Sequence, residues 1–462
     1  MTNTAKTKSN MIMIVVASLF TVLYISLIFN QNIWTDEAFT IELTRENSLF
    51  GIIHKTAVDV HPPLYYIIVK IFISLFGSSF QIYKMVSILP MTLTMALSVT
   101  HIRPWFGMKR ALLFLVFLNA IPCVMEYGVQ IRMYSWCIFF ITLMGLSAYG
   151  ALTRDTFVHW HTLTLSSICA CYTHNFAMIS AMIIYVLLGI TLAVRKRAFP
   201  VRWFISGTVS GICFIPWLPT LLRQTGSRIG NYWIPPVTID TIAGYFDDLF
   251  GSRLPYTAVM FAILFLIAIF LCKHSRREEY FVAVLILVPV FTALAGILIS
   301  VMLTPFFIAR YLIPCMGITA LFLAVRLGGM LHSRATIVLL GIFLTVMIGN
   351  SYYTNYLSEY RSTHTDEFLR YMDENRTPDD IILYNNQEYG FIYECYFGSD
   401  KLRFLDNMDF SSQFDRIWYL DSCVSPWLSD VTLEKHGLVK KYIATLGIEQ
   451  NDFILYKICK KP

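Results

Sequence analysis

The chain has 462 residues, of which 56% are hydrophobic and 14% charged, and its formal net charge is +6. Soluble domains carry about a quarter charged residues, so this composition excludes a soluble enzyme and points to a polytopic membrane protein. The basic surplus is no nucleic-acid signal, because Lys and Arg are dispersed through short segments between apolar runs and form no single stripe.

In chain order, MTNTAKTKSN precedes a long apolar run that lacks a small-residue cleavage site, which reads as an uncleaved signal anchor. Apolar stretches long enough to span, about 20 residues each, are expected at roughly 11–29, 80–101, 111–129, 134–152, 157–175, 176–194, 203–222, 256–272, 280–304, 311–325 and 335–350. That gives about 11 transmembrane helices. One further run, PPLYYIIVKIFISLFG at 62–77, is short and carries Lys70 at its middle.

Charge decides how to treat that run, because cytoplasmic loops are enriched in Lys and Arg. With 62–77 left out of the count, one side of the membrane receives Lys6, Lys8, Arg103, Lys109, Arg110, Arg154, Arg195, Lys196, Arg197, Arg202, Lys273, Arg276, Arg277, Arg326 and Arg334. Only Asp155, Glu278 and Glu279 oppose them. Counting 62–77 as a span would put Lys6 and Lys8 on the wrong side. The run is therefore expected to lie in the outer interface as a helix held by its aromatics and Lys70.

The expected arrangement is a membrane domain over 1–350, its first outer loop at 30–79, and a small α/β domain at 351–462. The N-terminus is expected in the cytoplasm and the C-terminal domain outside, in a cell or inner membrane. The tail alternates apolar runs (DDIILY, DRIWYLD, DFILYKI) with helix-like stretches (THTDEFLRYMDEN, SDVTLEKHG), and holds 12 basic against 18 acidic residues. It shows no evident catalytic cluster and reads as a cap. Seven of the ten cysteines sit in or beside apolar runs, where Cys packs as a small apolar residue; Cys395, Cys423 and Cys459 lie in the tail. No CxxC or Cys/His cluster suggests a metal site.

This topology sends nearly all the unusual polar residues outward. They include Asp36 and Glu37 in WTDE, His61 in HPPLYY, Glu126, Arg132 and Tyr134 in EYGVQIRMYSW, and His174 in CYTHNF. Tyr232 and Trp233 in NYWIPP and Arg310 and Tyr311 in FFIARYLIP complete the set. Ionisable groups at membrane depth are costly and usually functional. Carboxylates and a histidine suit acid/base work, and arginines suit a phosphate. Tyrosines such as Tyr65, Tyr134 and Tyr311, with Trp233, suit stacking on a sugar or on the first isoprene units of a lipid. Asp247 and Asp248 in YFDDLF read as solvated loop acids, and Glu126 with Arg132 as a structural pair. No cofactor is indicated, and a divalent metal is not called for.

WTDE, HPPLYY, RMYS, the YTH step, PWLP followed by YWIPP, and ARYLIP occur in this order over residues 30–320. Together they resemble the bacterial branch of the GT-C membrane glycosyltransferases, related to protein O-mannosyltransferases and the aminoarabinose transferase of lipid A. The resemblance implies a catalytic aspartate at Asp36 with Glu37 beside it. It also implies donor-phosphate contacts at His61, Arg132 and Arg310, and substrate contacts at Tyr65, Tyr134, His174, Tyr232, Trp233 and Tyr311. Where some relatives have Lys before the two prolines, this chain has His61, whose charge near neutral pH depends on its surroundings.

The expected activity is inverting transfer of a sugar from a polyprenyl-phosphate donor to a hydroxyl of a glycan, lipid or protein acceptor on the outer face. A transporter or flippase, or an assembly protein for lipid-linked sugars, is the alternative. It would call for mid-membrane charges and a pseudo-repeat between halves, whereas here the charges gather at one boundary.

Overall fold

The computed structural model describes residues 3–29, 32–196, 199–227, 234–251, 254, 256–274, 279–329, 331, 333–354, 365–411, 416–448 and 451–461. Tyr232 and Trp233 lie outside the described residues. The chain divides into two compact units, one of Met1–Ile28 with Asn47–Thr354 and one of Phe29–Glu46 with Asn355–Pro462.

The first unit is helical. Among the described residues, eight helices are long and apolar enough to cross a membrane: Ser9–Ser26, Phe80–Phe106, Tyr134–Thr153, Asn175–Arg195, Val201–Ser227, Tyr280–Met302, Ala309–Leu327 and Arg334–Tyr353. The protein is multi-pass. The other three expected spans are helical but shorter. Met108–Ala120 ends at Ile121, whose extended ψ of 117° precedes Pro122, and the chain resumes as Pro122–Tyr127; proline disfavours the helical region for the residue before it. Phe157–Thr173 and Thr257–Phe270 are the remaining two.

Tyr134–Thr153 lies at the centre, with Ile138, Ile141, Met144 and Ala148 fully buried. It packs against Met316–Leu327 through Gly317, where a Cβ would collide with Thr142 Oγ1. Small residues of this kind let helix backbones approach closely where both faces are apolar. By contrast Met182, Val186 and Ile190 expose one stripe of the Asn175–Lys196 helix, and Leu294, Leu298 and Val301 one stripe of Leu287–Met302. Apolar stripes of this kind suit contact with lipid acyl chains. Glu279 accepts from Arg110 Nη2 and Arg326 Nη2, each at 2.7 Å, an ion triad joining three helices.

The run at 62–77 forms the helix Leu64–Phe76. Its 13 residues extend about 20 Å at 1.5 Å per residue, short of the ~30 Å apolar core of a bilayer. Tyr65, Tyr66 and Val69 are buried on one side while Ile71, Leu75 and Phe76 are exposed on the other. A second helix, Leu49–Val58, capped by Ser48, was not anticipated.

The second unit carries a five-stranded sheet of β1 (Ile381–Tyr384), β2 (Leu402–Phe404), β3 (Ile417–Asp421), β4 (Leu438–Ile448) and β5 (Asn451–Lys460). Its order is β2-β1-β3-β5-β4. β1 pairs in parallel with β2 and β3, and β5 runs antiparallel to β3 and β4. Leu383, Ile417, Tyr419, Leu433, Leu438 and Ile458 form a core on the sheet. Beneath β1, the buried Asp380 accepts from Trp418 Nε1 at 2.9 Å and Arg416 Nε at 3.1 Å. The expected strands and helices of the tail are present, but β4, β2 and the helix Gly390–Phe397 are additional.

Residues 29–46 group with this unit. The helix Thr35–Glu46 packs on Gly390–Phe397, with Phe39 edge-on to Phe391 at 6.4 Å and Cys395 Sγ donating to the Ala38 carbonyl at 3.4 Å. Thr365 Oγ1 donates to Asn32 Oδ1 at 3.1 Å.

Candidate active site

The HPP step connects two helices. Proline supplies no N–H, so it sits without cost in a first helical turn, and the Pro63 carbonyl accepts from Ile67 to start Leu64–Phe76. Asn175 Nδ2 donates to the Val60 carbonyl at 3.1 Å and fixes the turn from outside. His61 is thereby held at a defined place.

Arg132 lies in the turn between Pro122–Tyr127 and Tyr134–Thr153. That turn is tied to Phe80–Leu97 by Ser87 Oγ donating to the Gln130 carbonyl at 2.5 Å and Trp136 Nε1 donating to the Val86 carbonyl at 3.1 Å. Arg132 is 2% exposed, and its Nη2 lies 3.2 Å from His61 Nε2. A guanidinium has donors only, so His61 Nε2 is the acceptor and the ring is neutral with its proton on Nδ1. Desolvation, then the charge of Arg132, the neighbouring His174 and the charge of Arg310, hold the His61 pKa well below the usual histidine range. The geometry and the electrostatics agree.

His174 caps the C-terminus of Phe157–Thr173 in an extended conformation. Its Nδ1 accepts from the Phe176 N–H at 3.1 Å, which leaves the proton of the neutral ring on Nε2. The side chain is 2% exposed, and Nε2 has no hydrogen-bond partner among the described residues. Burying such a donor unsatisfied costs about 1–3 kcal/mol. His174 is surrounded by ring systems: His61 at 5.3 Å, Tyr134 at 5.6 Å and Tyr311 at 5.3 Å between centroids. Tyr311 in turn stacks on Phe176 at 4.7 Å. Arg310, half-buried beside Tyr311, is near enough for its charge to act on His61.

Two cavities adjoin this cluster. A polar one of about 340 Å³ is lined by Glu126, Tyr127, Asp248 and Arg310, with Cys123 and Ile308 among its apolar walls. Burial, then Asp247, raises the pKa of the Asp248 carboxyl from its ordinary value. The other is an open apolar groove of about 600 Å³, lined by Ile53, Pro63, Leu64, Ile67, Tyr172 and Trp217 among others. Its lining includes Pro63, two residues from His61.

The structure thus brings together His61, Arg132, Tyr134, His174, Arg310 and Tyr311. Tyr65 is buried against Tyr66 in the first turn of Leu64–Phe76, with ring centroids 5.4 Å apart. Asp36 and Glu37 belong to the second unit, in the first turn of Thr35–Glu46. WTDE is therefore a helix start and not a loop. Glu37 Oε2 accepts from the Trp34 N–H at 3.2 Å, the back-reaching half of a capping box, and the side chain is 4% exposed; Asp36 is partly exposed. Among the described residues, no group of three His, Cys, Asp or Glu is arranged to hold a metal ion.

The sequence reading missed Tyr127, which packs edge-on to Tyr134 at 5.0 Å, and the placement of Asp248 on a cavity. It also missed Lys84, which is 1% exposed inside Phe80–Leu97. A lysine in an apolar span was the available signal.

No protein-family model matches the sequence, and no curated protein matches it. Solved structures do. ArnT from Cupriavidus metallidurans in its apo state superposes with a TM-score of 0.63 at 13% identity, covering 96% of this chain and 97% of ArnT. The same ArnT bound to undecaprenyl phosphate gives 0.61 over the same shares, also at 13% identity. This chain has the GT-C fold. The arabinofuranosyltransferase AftD from Mycobacteria, at 10% identity and a TM-score of 0.54, shares it over 97% of this chain and 40% of AftD. Within the GT-C fold of this protein, the cluster around His174 lies where helix ends and inter-helix turns converge.

Proposed function

We propose that the protein is an integral membrane glycosyltransferase that moves a sugar from a polyprenyl-phosphate donor to an acceptor hydroxyl on the outer face. One observation carries this reading: two arginines and the buried, unsatisfied Nε2–H of His174 gather on one cluster. Hydrogen-bond donors and positive charge fit an anion, and guanidinium with N–H donors fits phosphate oxygens. The apolar groove lined by Pro63 suits the first isoprene units of the same lipid. The undecaprenyl phosphate held by the ArnT neighbour is in keeping with that choice.

In the proposed step, the acceptor oxygen attacks the anomeric carbon opposite the phosphate and forms the new C–O bond. The bond from that carbon to the phosphate oxygen breaks, and its electron pair leaves with the phosphate. The acceptor proton passes to a carboxylate base, assigned to Asp36 from the motif resemblance. Arg132, Arg310 and His174 Nε2–H stabilise the charge that grows on the leaving phosphate, which favours the transition state over the bound donor. His61, being neutral, contributes by orienting Arg132 and by its Nδ1–H. Attack from the opposite face inverts the anomeric centre.

The test is to incubate the purified protein with a panel of undecaprenyl-phosphate sugars and follow donor consumption by mass spectrometry. Release of undecaprenyl phosphate from at least one donor is expected. Asp36→Asn is expected to bind that donor normally and turn it over at least about a hundredfold more slowly. Near-normal turnover would remove Asp36 from the chemistry, and no binding across the panel would favour transport or assembly.

A further inference from the structure

We infer that His101, Trp105, Arg154 and His159 form a second anion site, at the opposite membrane boundary from the candidate active site, and that it holds the phosphate of an anionic phospholipid of that leaflet. The inference is independent of the reading just given. Arg132 precedes the helix Tyr134–Thr153 and Arg154 follows it. The 20 residues of that helix extend about 30 Å at 1.5 Å per residue, the thickness of the apolar core of a bilayer, so the two arginines stand at opposite edges.

Local sequence builds the site. Pro104 has no N–H for the Thr100 carbonyl and its ring crowds that oxygen, and the turn before it, Ser98–Ile102, is π-helical. Such turns are rare and cluster at functional sites. This one carries His101, whose ring lies 5.4 Å from Trp105 and whose Nδ1 shares a 2.8 Å hydrogen bond with Thr100 Oγ1. His159, in the first turn of Phe157–Thr173, lies 5.8 Å from Trp105 on the other strand of the site. It fits there because Gly150 has no side chain: a Cβ would stand 2.5 Å from His159 Nδ1. The Arg154 guanidinium lies over the Trp105 ring at 5.5 Å.

The neighbouring acid is engaged elsewhere. Asp155 pairs with Arg202 at 3.3 Å and accepts from Trp160 Nε1 at 2.8 Å. Among the described residues, the Arg154 guanidinium, Trp105 Nε1–H and the ring nitrogens of His159 make ring contacts but no hydrogen bond or ion pair. A guanidinium backed by an indole face, with N–H donors beside it, suits phosphate oxygens. Phe157 and Val158, immediately before His159, and Leu165 on the same helix are exposed. They offer acyl chains an apolar surface for which a soluble phosphate has no use.

The experiment measures binding of phosphatidylglycerol, phosphatidylethanolamine and inorganic phosphate to the full-length protein in detergent by native mass spectrometry. The wild type should bind phosphatidylglycerol about fivefold tighter than phosphatidylethanolamine, the increment of one basic group near an anionic lipid, and excess inorganic phosphate should not displace it. Arg154→Gln, at an exposed position, should remove most of that preference without lowering the melting temperature, and His159→Gln a smaller part. Arg334→Gln, which changes an exposed basic residue of another helix, should leave the preference intact. No preference in the wild type, or an unchanged one in Arg154→Gln, would overturn the site. Displacement by inorganic phosphate would make it a soluble-phosphate site, and an equal loss in Arg334→Gln would reduce it to diffuse charge attraction; either result also overturns the inference.

Discussion

Arg132 combines 2% exposure with a 3.2 Å contact to His61, so its positive charge is fixed in a place where few solvent molecules can screen it. Charge-assisted hydrogen bonds contribute about 1.5–3 kcal/mol. Arg132→Ala should therefore weaken undecaprenyl phosphate binding by roughly ten- to a hundredfold, and Arg132→Lys should restore only part, since the planar fork is lost. Titration in detergent measures this, and unchanged affinity with lowered thermal stability would leave Arg132 a purely structural role. His61 predicts a pH effect. Its pKa in the folded state is depressed, so below the ordinary histidine value of about 6.5 the unfolded chain takes up a proton that the native chain does not. Stability should therefore fall as pH drops below that value, by at most about 1.4 kcal/mol per unit from this group. Melting curves from pH 7.5 to 5 should show the fall in the wild type and a smaller one in His61→Gln. These residues were legible in the sequence as types and positions. What the sequence did not disclose was protonation, because the neutral state of His61 depends on Arg132, 71 positions away.

Among the elements, the helices of the first unit are joined by close backbone packing at Gly317 and by the triad of Glu279 with Arg110 and Arg326. Glu279 sat among the residues counted as cytoplasmic loop charges, and charge counting cannot distinguish a solvated acid from a buried one. Removing one partner of a buried ion pair leaves uncompensated charge and costs about 3–5 kcal/mol. Glu279→Ala should accordingly lower the melting temperature of the detergent-solubilised protein, whereas Glu279→Gln should lower it less. Equal melting temperatures would mean that water reaches the arginines. Span lengths were misjudged for a related reason. The apolar run at 111–129 is continuous in hydropathy, but Pro122 ends the helix at Ile121. The run at 62–77 was read as non-spanning from charge bias, and its 13 helical residues accord with that.

For the whole molecule, the boundary of the second unit is the main departure from a reading in chain order. Residues 29–46 were assigned with the first outer loop, yet they group with the C-terminal sheet through Ala38, Phe39 and Asn32. Ile41, three residues from Ala38 on the same helix, is 2% exposed. Ile41→Asp places a charge in an apolar interior, which costs several kcal/mol. Limited proteolysis should cut the C-terminal unit at least about tenfold faster in this variant, with the membrane helices unaffected. A digestion pattern like that of the wild type would show that this helix does not support the sheet. β4 escaped the sequence reading because LVKKYIATLGI mixes charged and apolar residues. That is the usual protection of an edge strand, and only its pairing with β5 makes it a strand.

By itself the sequence determined that this is a multi-pass helical membrane protein and that the tail is α/β, and it raised the expectation that the unusual polar groups gather at one boundary. Hydropathy, charge bias and alternation are local properties and can be read in short windows. Tertiary structure decided which of those groups meet: His61, Arg132, His174 and the adjacent Arg310 and Tyr311 come from four separate segments, and the cavity of Glu126, Asp248 and Arg310 from three. It also decided that WTDE opens a helix of the second unit. Contacts between residues a hundred or more positions apart arise only when helices pack, and protonation, burial and cavity shape follow from that packing.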